Sequence, residues 1–273
     1  MDTYNKLSYR ISELTTKSYS TSFSMSGRLF DAKIRPHIYA IYGLVRIADE
    51  IVDTYMGADT RAQLDALETH VLEQLAAEQP FSPNPIVQSF VVTAQRFGFG
   101  SELIKPFFKS MRADITAKKF TKKSYDGYIY GSAEVIGLMC VKVFANDDAL
   151  YDNLKPGALA LGRAYQKVNF LRDMRADFYE RGRVYFPGVS FDSFNDTVKK
   201  EIEADIEKDF IEAAASIQAI PRTARAAIST SYDYYWQLFI RLRRASATDI
   251  KTRRLRVPNA IKIAIFSKAK LAR

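Results

Sequence analysis

Two segments of this chain carry carboxylates at helical spacing. If residues 42–53 form a helix, Tyr42, Arg46, Asp49 and Asp53 fall within about 60° of one another. The other positions of this segment are almost all apolar, which predicts a buried helix with one narrow polar stripe. Buried carboxylates are costly unless a cation compensates them. Taken alone, the segment also fits an ion pair between Arg46 and Asp49, with Asp53 in solvent.

The second segment strengthens the first interpretation. Gln166, Asn169, Asp173 and Asp177 share a stripe about 80° wide on a predicted helix, and apolar residues lie opposite. Two helices with facing acidic stripes could hold a diphosphate bridged by Mg²⁺, because hard cations prefer carboxylate and amide oxygens and complete their shell with phosphate. Arg46 and Arg172 could add bidentate contacts to phosphate oxygens.

The chemistry that such a clamp supports is the departure of pyrophosphate. Cations stabilise the charge that develops on the leaving group, and a carbocation remains. That cation needs a dry pocket, which some of the 18 Phe and 16 Tyr residues could line, since ring faces favour positive charge. For most of these aromatic residues we expect ordinary core packing.

Composition narrows the kinds of site that the chain can form. The 273 residues include one cysteine, Cys140, and two histidines, His37 and His70. A disulfide framework, a multi-cysteine metal site and a site built on several imidazoles are therefore excluded, and we assign these three residues no chemistry. Any bound metal must be held by oxygen, which points to Mg²⁺, with Mn²⁺ as the alternative.

Sparse glycine and proline (12 and 9 residues) together with apolar periodicity predict a helical protein. We find neither an internal repeat nor a flexible linker, so we predict one all-α domain over residues 1–273. The predicted helices cover approximately residues 31–56, 61–78, 86–97, 101–118, 124–145, 155–180, 196–216 and 221–246.

The net charge of +9 predicts attraction to polyanions. A run of Lys118, Lys119, Lys122 and Lys123 has no accompanying nucleic-acid motif, so we interpret it as a solvated helix end and expect no nucleic-acid partner. The basic tail from Lys251 to Arg273 is interleaved with apolar residues and fits either an anionic membrane surface or packing into the core. We see neither a secretory signal nor a membrane-spanning stretch, and we expect a cytoplasmic protein. Peripheral contact with the inner face of the membrane is the alternative that the basic tail leaves open.

Five segments resemble the squalene/phytoene synthase family of head-to-head prenyl transferases. They are residues 42–53, which resemble the first aspartate-rich motif; residues 166–187, which resemble the second motif and its extension; residues 20–23, which are similar to the N-terminal flap; residues 128–137, which are similar to the central cavity helix; and Tyr235 with residues 253–257, which resemble the segment that closes over diphosphate. The resemblance spans about residues 18 to 266. Glu50 departs from it, because the family most often has Asp there.

This resemblance implies an isoprenoid synthase bundle around a central apolar cavity, with particular roles for the matching residues. The catalytic residues would be Asp49, Asp53, Asp173, Asp177 and Tyr42. The substrate-binding residues would be Ser22, Phe23, Arg46, Tyr128, Gln166, Asn169, Arg172, Tyr235 and Arg254. The Mg²⁺ ligands would be Asp49, Glu50, Asp53, Asn169, Asp173 and Asp177.

The implied reaction joins two prenyl diphosphates through a cyclopropyl diphosphate. The Gly-Ser-Ala-Glu-Val-Ile-Gly-Leu-Met pattern at 131–139 looks more like phytoene synthases than squalene synthases. We therefore expect a phytoene synthase that uses two molecules of geranylgeranyl diphosphate without NADPH and hands its product to a carotenoid desaturase. The alternatives are a dehydrosqualene or squalene synthase acting on farnesyl diphosphate, and a non-catalytic helical scaffold of the same fold. The presence of all four aspartates argues against the scaffold.

Overall fold

Helices form the regular elements of the computed structural model, which describes residues 2–55, 57–116, 119–145 and 147–271. Over these residues the all-α prediction is confirmed, and the one β-type pairing is an isolated bridge between Lys119 and Val184. The α-helices are α1 (Asp2–Tyr19), α2 (Thr21–Gly27), α3 (Arg35–Asp49), α4 (Thr60–Ala76), α5 (Pro85–Phe97), α6 (Ser101–Thr116), α7 (Lys122–Ile129), α8 (Val135–Phe144), α9 (Asp148–Arg181), α10 (Asp196–Ile217), α11 (Arg222–Arg244), α12 (Ala247–Thr252) and α13 (Asn259–Leu271). Two π-helices, π1 (Glu50–Tyr55) and π2 (Tyr130–Glu134), continue α3 and α7.

The ends of the longest helix, α9, follow from its sequence. The side chain of Asp147 accepts a hydrogen bond from the Leu150 amide and caps the first turn. Gly182 ends the helix in the left-handed region at φ 65°, where a side chain would be strained. Between these caps α9 runs for 34 residues and contacts π2, α8, α10, α11 and α12. This helix therefore connects both halves of the bundle.

The buried apolar residues form two clusters. One joins α3, α5, α6 and α8, with Leu44, Phe90 and Phe108 in its centre. The other packs α9, α10 and α11 around Phe210 and Phe239. The cavity described below is lined by helices from both clusters.

The observed helices extend the predicted set and change it in two ways. All eight predicted helices are present, but the start of two of them differs from the prediction. The first begins at Arg35 rather than 31. Helix α9 begins at Asp148 rather than 155, since Pro156 does not mark its start but lies inside it. Residues 56, 117 and 118 of the predicted helices lie outside the described residues. The second change concerns residues 42–53: the backbone turns into a π-helix at Glu50, so the spacing of a straight α-helix does not apply to Asp53. Four helices, α1, α2, α12 and α13, were not predicted.

One segment, Lys122–Phe144, is long and apolar enough to cross a membrane by length and composition, and 56% of its most apolar window is buried inside the fold. Its hydrophobicity is therefore largely used in packing. In the basic run, Lys122 and Lys123 are exposed in the first turn of α7, and Lys118 lies outside the described residues. The end of the basic tail forms α13, and Arg273 likewise lies outside the described part.

Candidate functional site

The first acidic segment lies at the junction of α3 and π1. Arg46 forms an ion pair with Glu50 and approaches Asp49 to 3.8 Å (Nη1 to Oδ2). Its guanidinium also stacks over the ring of Tyr19, at 4.3 Å from the centroid. Burial raises the pKa of Asp49 to about 7, although the nearby charge of Arg46 opposes this shift. Asp49 is therefore a carboxylate that would gain from a further cation.

The second acidic segment lies on α9, where Asp173 is enclosed by two arginines. Arg172 Nε donates to Asp173 Oδ1 at 2.9 Å, and Arg254 Nε donates to the same oxygen at 2.6 Å. Burial alone would raise the pKa of Asp173, but these arginine contacts hold it below the ordinary value. Arg254 follows α12, so the C-terminal segment folds back over α9.

One guanidinium contacts both acidic segments. Arg181 Nε lies 3.4 Å from Asp53 Oδ1 on π1, and Arg181 Nη1 lies 2.9 Å from Asp177 Oδ1 on α9. Burial and the neighbouring charge of Asp173 raise the pKa of Asp177 to about 6. Asp53 of the first segment and Asp177 of the second are thus close enough to contact the same guanidinium. Sequence spacing did not identify Arg181, because its role depends on contacts between two elements.

A buried cluster behind the acidic segments also escaped the sequence analysis. Asp114 of α6 accepts hydrogen bonds from the hydroxyl groups of Tyr128 (2.7 Å) and Tyr185 (3.0 Å), and Arg183 Nη1 lies 3.3 Å from Asp114 Oδ1. Arg183 also lies 3.9 Å from Asp53. Burial raises the pKa of Asp114 to about 6. One signal was available, since Asp114 continues the i, i+4, i+7 apolar face of α6, where a carboxylate is unexpected.

The side chains of this site carry oxygen donors of the kind that a hard divalent cation prefers. Both segments offer carboxylate oxygens, and Asn169 of α9 adds an amide oxygen. Within the described ranges, no three His, Cys, Asp or Glu side chains are already grouped as a metal site, because arginines hold the carboxylates. A bound metal would take over part of the charge compensation that Arg46, Arg172 and Arg181 provide.

A cavity of about 790 Å³ opens beside this polar cluster. It is lined by residues of α2, α3, π2, α8, α9, α10 and α11 and by the chain around 254–262. Along α9 the lining changes from Leu154, Ala158 and Leu161 at one end to Asn169 and Arg172 at the other. The cavity therefore has an apolar end and a basic, polar end.

Seven of the predicted site residues line this cavity, namely Ser22, Phe23, Tyr42, Asn169, Arg172, Tyr235 and Arg254. The rings of Phe23 and Tyr42 stack at 5.0 Å, and burial raises the pKa of Tyr42 to about 12, so its hydroxyl stays protonated. Tyr235 stacks on Tyr165 at 3.8 Å, and its hydroxyl lies 3.4 Å from Asn169 Oδ1.

The other predicted residues lie outside the cavity wall. Gln166 is half-buried elsewhere on α9, and Tyr128 is buried in an aromatic cluster with its hydroxyl on Asp114. The wall likewise does not include Arg46 or the carboxylates Asp49, Glu50, Asp53, Asp173 and Asp177, which belong to the arginine-bound cluster at its polar end. Arg256, which belongs to the segment 253–257 that resembles the diphosphate-closing segment, also lines the cavity, and so does Lys262, which the sequence analysis placed only in the basic tail.

Comparison with known proteins agrees with the family resemblance of the sequence motifs. The family model for squalene/phytoene synthase matches residues 16–260. The chain is 30% identical over 255 residues to a 15-cis-phytoene synthase from Synechocystis sp. (strain ATCC 27184 / PCC 6803 / Kazusa), with 83% of this chain and 74% of that protein covered. It is 28% identical over 200 residues to a 4,4'-diapophytoene synthase from Staphylococcus haemolyticus (strain JCSC1435), with 72% and 68% covered.

Solved structures support the fold. A dehydrosqualene synthase crystallised with a ligand superposes with a TM-score of 0.82 at 21% identity, covering 98% of this chain and 97% of that chain. A squalene synthase from Alicyclobacillus acidocaldarius superposes with a TM-score of 0.75 at 20% identity, covering 88% and 94%. At these identities the likeness establishes the isoprenoid synthase fold.

Proposed function

Since the chain belongs to the squalene/phytoene synthase family, whose members are prenyltransferases that act on prenyl diphosphates, we propose that it is a phytoene synthase. In the proposed reaction, two molecules of geranylgeranyl diphosphate give a cyclopropyl diphosphate with loss of one pyrophosphate and one proton. Loss of the second pyrophosphate, rearrangement and loss of another proton then give phytoene. No reductant enters this balance, so NADPH is not required.

The observation that carries the proposal is the position of the acidic cluster at the basic, polar end of a long apolar cavity. A prenyl diphosphate has the matching shape, with a multiply charged anionic head and a hydrocarbon tail. Arg172 and Arg254 already contact Asp173 and line the cavity, so they are suited to bind the diphosphate oxygens. The apolar lining would exclude water from the carbocation, and the faces of Phe23, Tyr42 and Tyr235 could stabilise its charge.

Mg²⁺, or Mn²⁺ in its place, is the proposed cofactor. Asp49, Asp53, Asp173 and Asp177 would hold it, with Asn169 and Glu50 as further oxygen donors, and the bound ion would neutralise charge on the departing pyrophosphate. The chain's own contribution is to keep these carboxylates close to the polar end of the cavity. Arg181, which contacts Asp53 and Asp177, supplies part of this arrangement.

The C20 substrate is supported by relatives and by the cavity. The relatives with at least 30% identity include phytoene synthases from two cyanobacteria. A 4,4'-diapophytoene synthase matches at 28%, so the farnesyl-based reaction is the second candidate. On α9 the apolar lining runs from Leu161 to Leu154, which fits a long hydrocarbon tail.

The test is product analysis with purified protein. Incubation with geranylgeranyl diphosphate and Mg²⁺ should give phytoene, and addition of NADPH should leave the product unchanged. Farnesyl diphosphate is the parallel substrate. Formation of a C30 hydrocarbon from it, with no product from the C20 substrate, would replace the proposal by the farnesyl-based one. Absence of any product, together with failure to bind diphosphate and Mg²⁺, would favour the scaffold.

A further inference from the structure

Two arginines approach Asp53 from the end of α9. Gly182 ends this helix at φ 65°, and the amide of Arg183 donates to the main-chain carbonyl of Asp177 at 2.9 Å. Arg181 and Arg183, on either side of this turn, lie 3.4 and 3.9 Å from the same oxygen, Asp53 Oδ1. A hydrogen bond between nitrogen and oxygen is usually shorter than about 3.2 Å. Both guanidiniums therefore compensate the charge of Asp53 without binding it closely.

Each of these arginines makes its closer contact with another acid. Arg181 Nη1 lies 2.9 Å from Asp177 Oδ1. Arg183 Nη1 lies 3.3 Å from Asp114 Oδ1, and its Nη2 donates to the main-chain carbonyl of Asp114. Asp177 belongs to the second acidic segment, whereas Asp114 lies on α6, outside both segments, and is buried. Asp114 thus holds Arg183 by two contacts and is not itself one of the proposed metal ligands.

The carboxylate of Asp114 is itself fixed by two tyrosines. The hydroxyl of Tyr128 donates to Oδ2 at 2.7 Å, and that of Tyr185 donates to Oδ1 at 3.0 Å. The ring of Tyr185 stacks on Phe170 at 4.1 Å, and Phe120 lies 5.2 Å from both tyrosine rings. This packing keeps the tyrosine hydroxyls, and with them the carboxylate, in one place.

We propose that Asp114 is a positioning residue, which acts through Arg183 to keep Asp53 available to the metal. While Asp114 holds Arg183, this guanidinium stays 3.9 Å from Asp53 and leaves its oxygen open to an ion. Without a carboxylate at position 114, Arg183 would move towards Asp53 and compete with the metal for the same oxygen. The inference rests on the proposed function, because it concerns the proposed Mg²⁺ site.

The experiment is calorimetric titration of the full chain with inorganic pyrophosphate, at a fixed excess of Mg²⁺ and without Mg²⁺. Asp114→Asn should weaken the binding in Mg²⁺ by roughly 10- to 100-fold, the range found when a residue that supports a metal ligand is replaced. Without Mg²⁺ it should bind pyrophosphate within about twofold of the parent protein, because Arg172 and Arg254 are unchanged. Equal weakening under both conditions would mean general damage to the site and would overturn the proposal.

A second substitution tests the role of Arg183 directly. Asp114→Asn with Arg183→Gln should bind pyrophosphate in Mg²⁺ within about threefold of the parent protein, since no guanidinium at position 183 competes with the metal. Asp114→Asn with Lys119→Gln has the same net charge and removes an exposed lysine that pairs with Val184, next to Arg183. This variant should bind as weakly as Asp114→Asn alone. Equal recovery in both double variants, or recovery in neither, would contradict the proposal.

Asp209 of α10 provides a matched control. Its side chain is 6% exposed, close to the 7% of Asp114, and it pairs with two cations, Arg163 and Lys167. These cations lie about 15 and 9 Å from Asp173 along α9. Asp209→Asn should lower the melting temperature, as Asp114→Asn does, and keep the affinity for pyrophosphate in Mg²⁺ within about twofold. An equal loss of affinity in this control would show that lost stability alone explains the effect.

Product analysis separates this proposal from the proposed function. If the parent protein makes phytoene and Asp114→Asn binds pyrophosphate in Mg²⁺ as the parent does, the positioning role fails and the proposed function stands. If Asp114→Asn loses this binding and Arg183→Gln restores it, but the parent protein makes no hydrocarbon, the positioning role stands and the proposed function fails. A parent protein that does not bind pyrophosphate in Mg²⁺ would contradict both.

Discussion

Asp49 and Asp173 are chemically equivalent residues in opposite surroundings. Asp173 is hydrogen-bonded by Arg172 and Arg254, so its negative charge is compensated within the chain. Asp49 lies 3.8 Å from the Arg46 guanidinium, and burial raises its pKa to about 7. In the proposed reaction Asp173 would both hold metal and orient two diphosphate-binding arginines, whereas Asp49 would act mainly as a metal ligand.

Asparagine at either position should therefore abolish the reaction. We expect Asp49→Asn and Asp173→Asn to lower kcat/KM for prenyl diphosphate by at least about a hundredfold, because each removes a charge that stabilises the developing pyrophosphate through the metal. Hydrocarbon extraction after timed incubation measures the effect. The control Asp126→Asn alters an exposed carboxylate paired with Lys122 on α7 and should be neutral. Near-parent turnover in a folded Asp49→Asn or Asp173→Asn protein would contradict the assigned roles.

Arg181 compensates the same carboxylates that would bind the metal. Removing it should leave Asp53 and Asp177 without that cation, so we expect Arg181→Gln to lower the melting temperature by roughly 2–6 °C without divalent ions. Mg²⁺ with pyrophosphate should recover most of this loss. The rise in melting temperature that these ligands cause should therefore be larger in the variant than in the parent protein.

Arg112 provides the control for this effect. Its side chain is 24% exposed, close to the 26% of Arg181, and it also contacts two acids, Asp65 and Glu68. Both acids lie on α4, away from the acidic segments. Arg112→Gln should lose stability to a similar extent and gain no more from Mg²⁺ and pyrophosphate than the parent protein does. Equal rescue of both variants would argue against metal binding at Asp53 and Asp177.

His37 gives the fold a pH dependence that is separate from the site. The ring of His37 is buried, and its Nδ1 lies 2.9 Å from the hydroxyl oxygen of Thr93. Burial lowers the pKa of His37 to about 4. Between pH 6.5 and 4 only the unfolded chain takes up this proton. The contribution of His37 to the free energy of unfolding is thus complete above pH 6.5 and falls by about 1.4 kcal/mol per pH unit down to pH 4. Urea unfolding of the parent protein and His37→Gln over this range should show the difference, and parallel curves would contradict it.

At the scale of the elements, π2 depends on close approach to α6. A Cβ on Gly131 would overlap the Pro106 carbonyl and the Ser110 hydroxyl, whereas a Cβ on Gly127 of α7 would meet nothing within 4 Å. We therefore expect Gly131→Ala to lower the free energy of unfolding by about 1–3 kcal/mol or more. Gly127→Ala should raise it by about 0.5–1 kcal/mol through helix propensity. Chemical denaturation measures both, and a stabilised Gly131→Ala protein would mean that π2 is packed differently.

Apolar periodicity predicted the long helices that bury apolar faces and missed α1 and α13, which do not. The buried residues of α1 are Ser8, Ser12 and Thr16, whose hydroxyl groups bond within the helix or, for Ser12, to Ser89 at 2.8 Å. No apolar stripe marks such a helix. The opposite holds for α13, which is apolar on two faces and has no buried residue. Its apolar residues therefore do not form the single stripe by which periodicity identifies a helix. In both cases the tertiary environment, rather than the local pattern, determines the element.

The same limit applies to the site. Asp49, Asp53, Asp173 and Asp177 could be proposed from the sequence because each pair lies four residues apart within one segment. Arg181, Arg183 and Asp114 act between elements, and Asp114 lies 69 residues from Arg183 in the sequence. Spacing within a helix contains no information on such contacts. A carboxylate on an otherwise apolar face, as at Asp114, was the one local sign.

At the scale of the whole molecule, the cavity separates charge from hydrocarbon along α9. Arg172 and Leu154 line its two ends, and the helical rise between these residues is about 27 Å. Ala158 lies on the same face, about 21 Å from Arg172. The diphosphate of a bound substrate would lie near Arg172, so its tail would extend towards Ala158 and Leu154. The length of this apolar part would then set the longest prenyl chain that can react.

Ala158→Phe should therefore change the preferred substrate rather than abolish the reaction. A ring at this position would fill the last part of the cavity and leave the acidic cluster untouched, since Ala158 is distant from Asp173. We expect kcat/KM for geranylgeranyl diphosphate to fall at least about tenfold, while that for farnesyl diphosphate stays within about threefold of the parent value. The two substrates, assayed with the same preparation, control for folding and metal content. Equal losses with both would mean that the tail does not reach Ala158, and that chain length is selected nearer to the diphosphate.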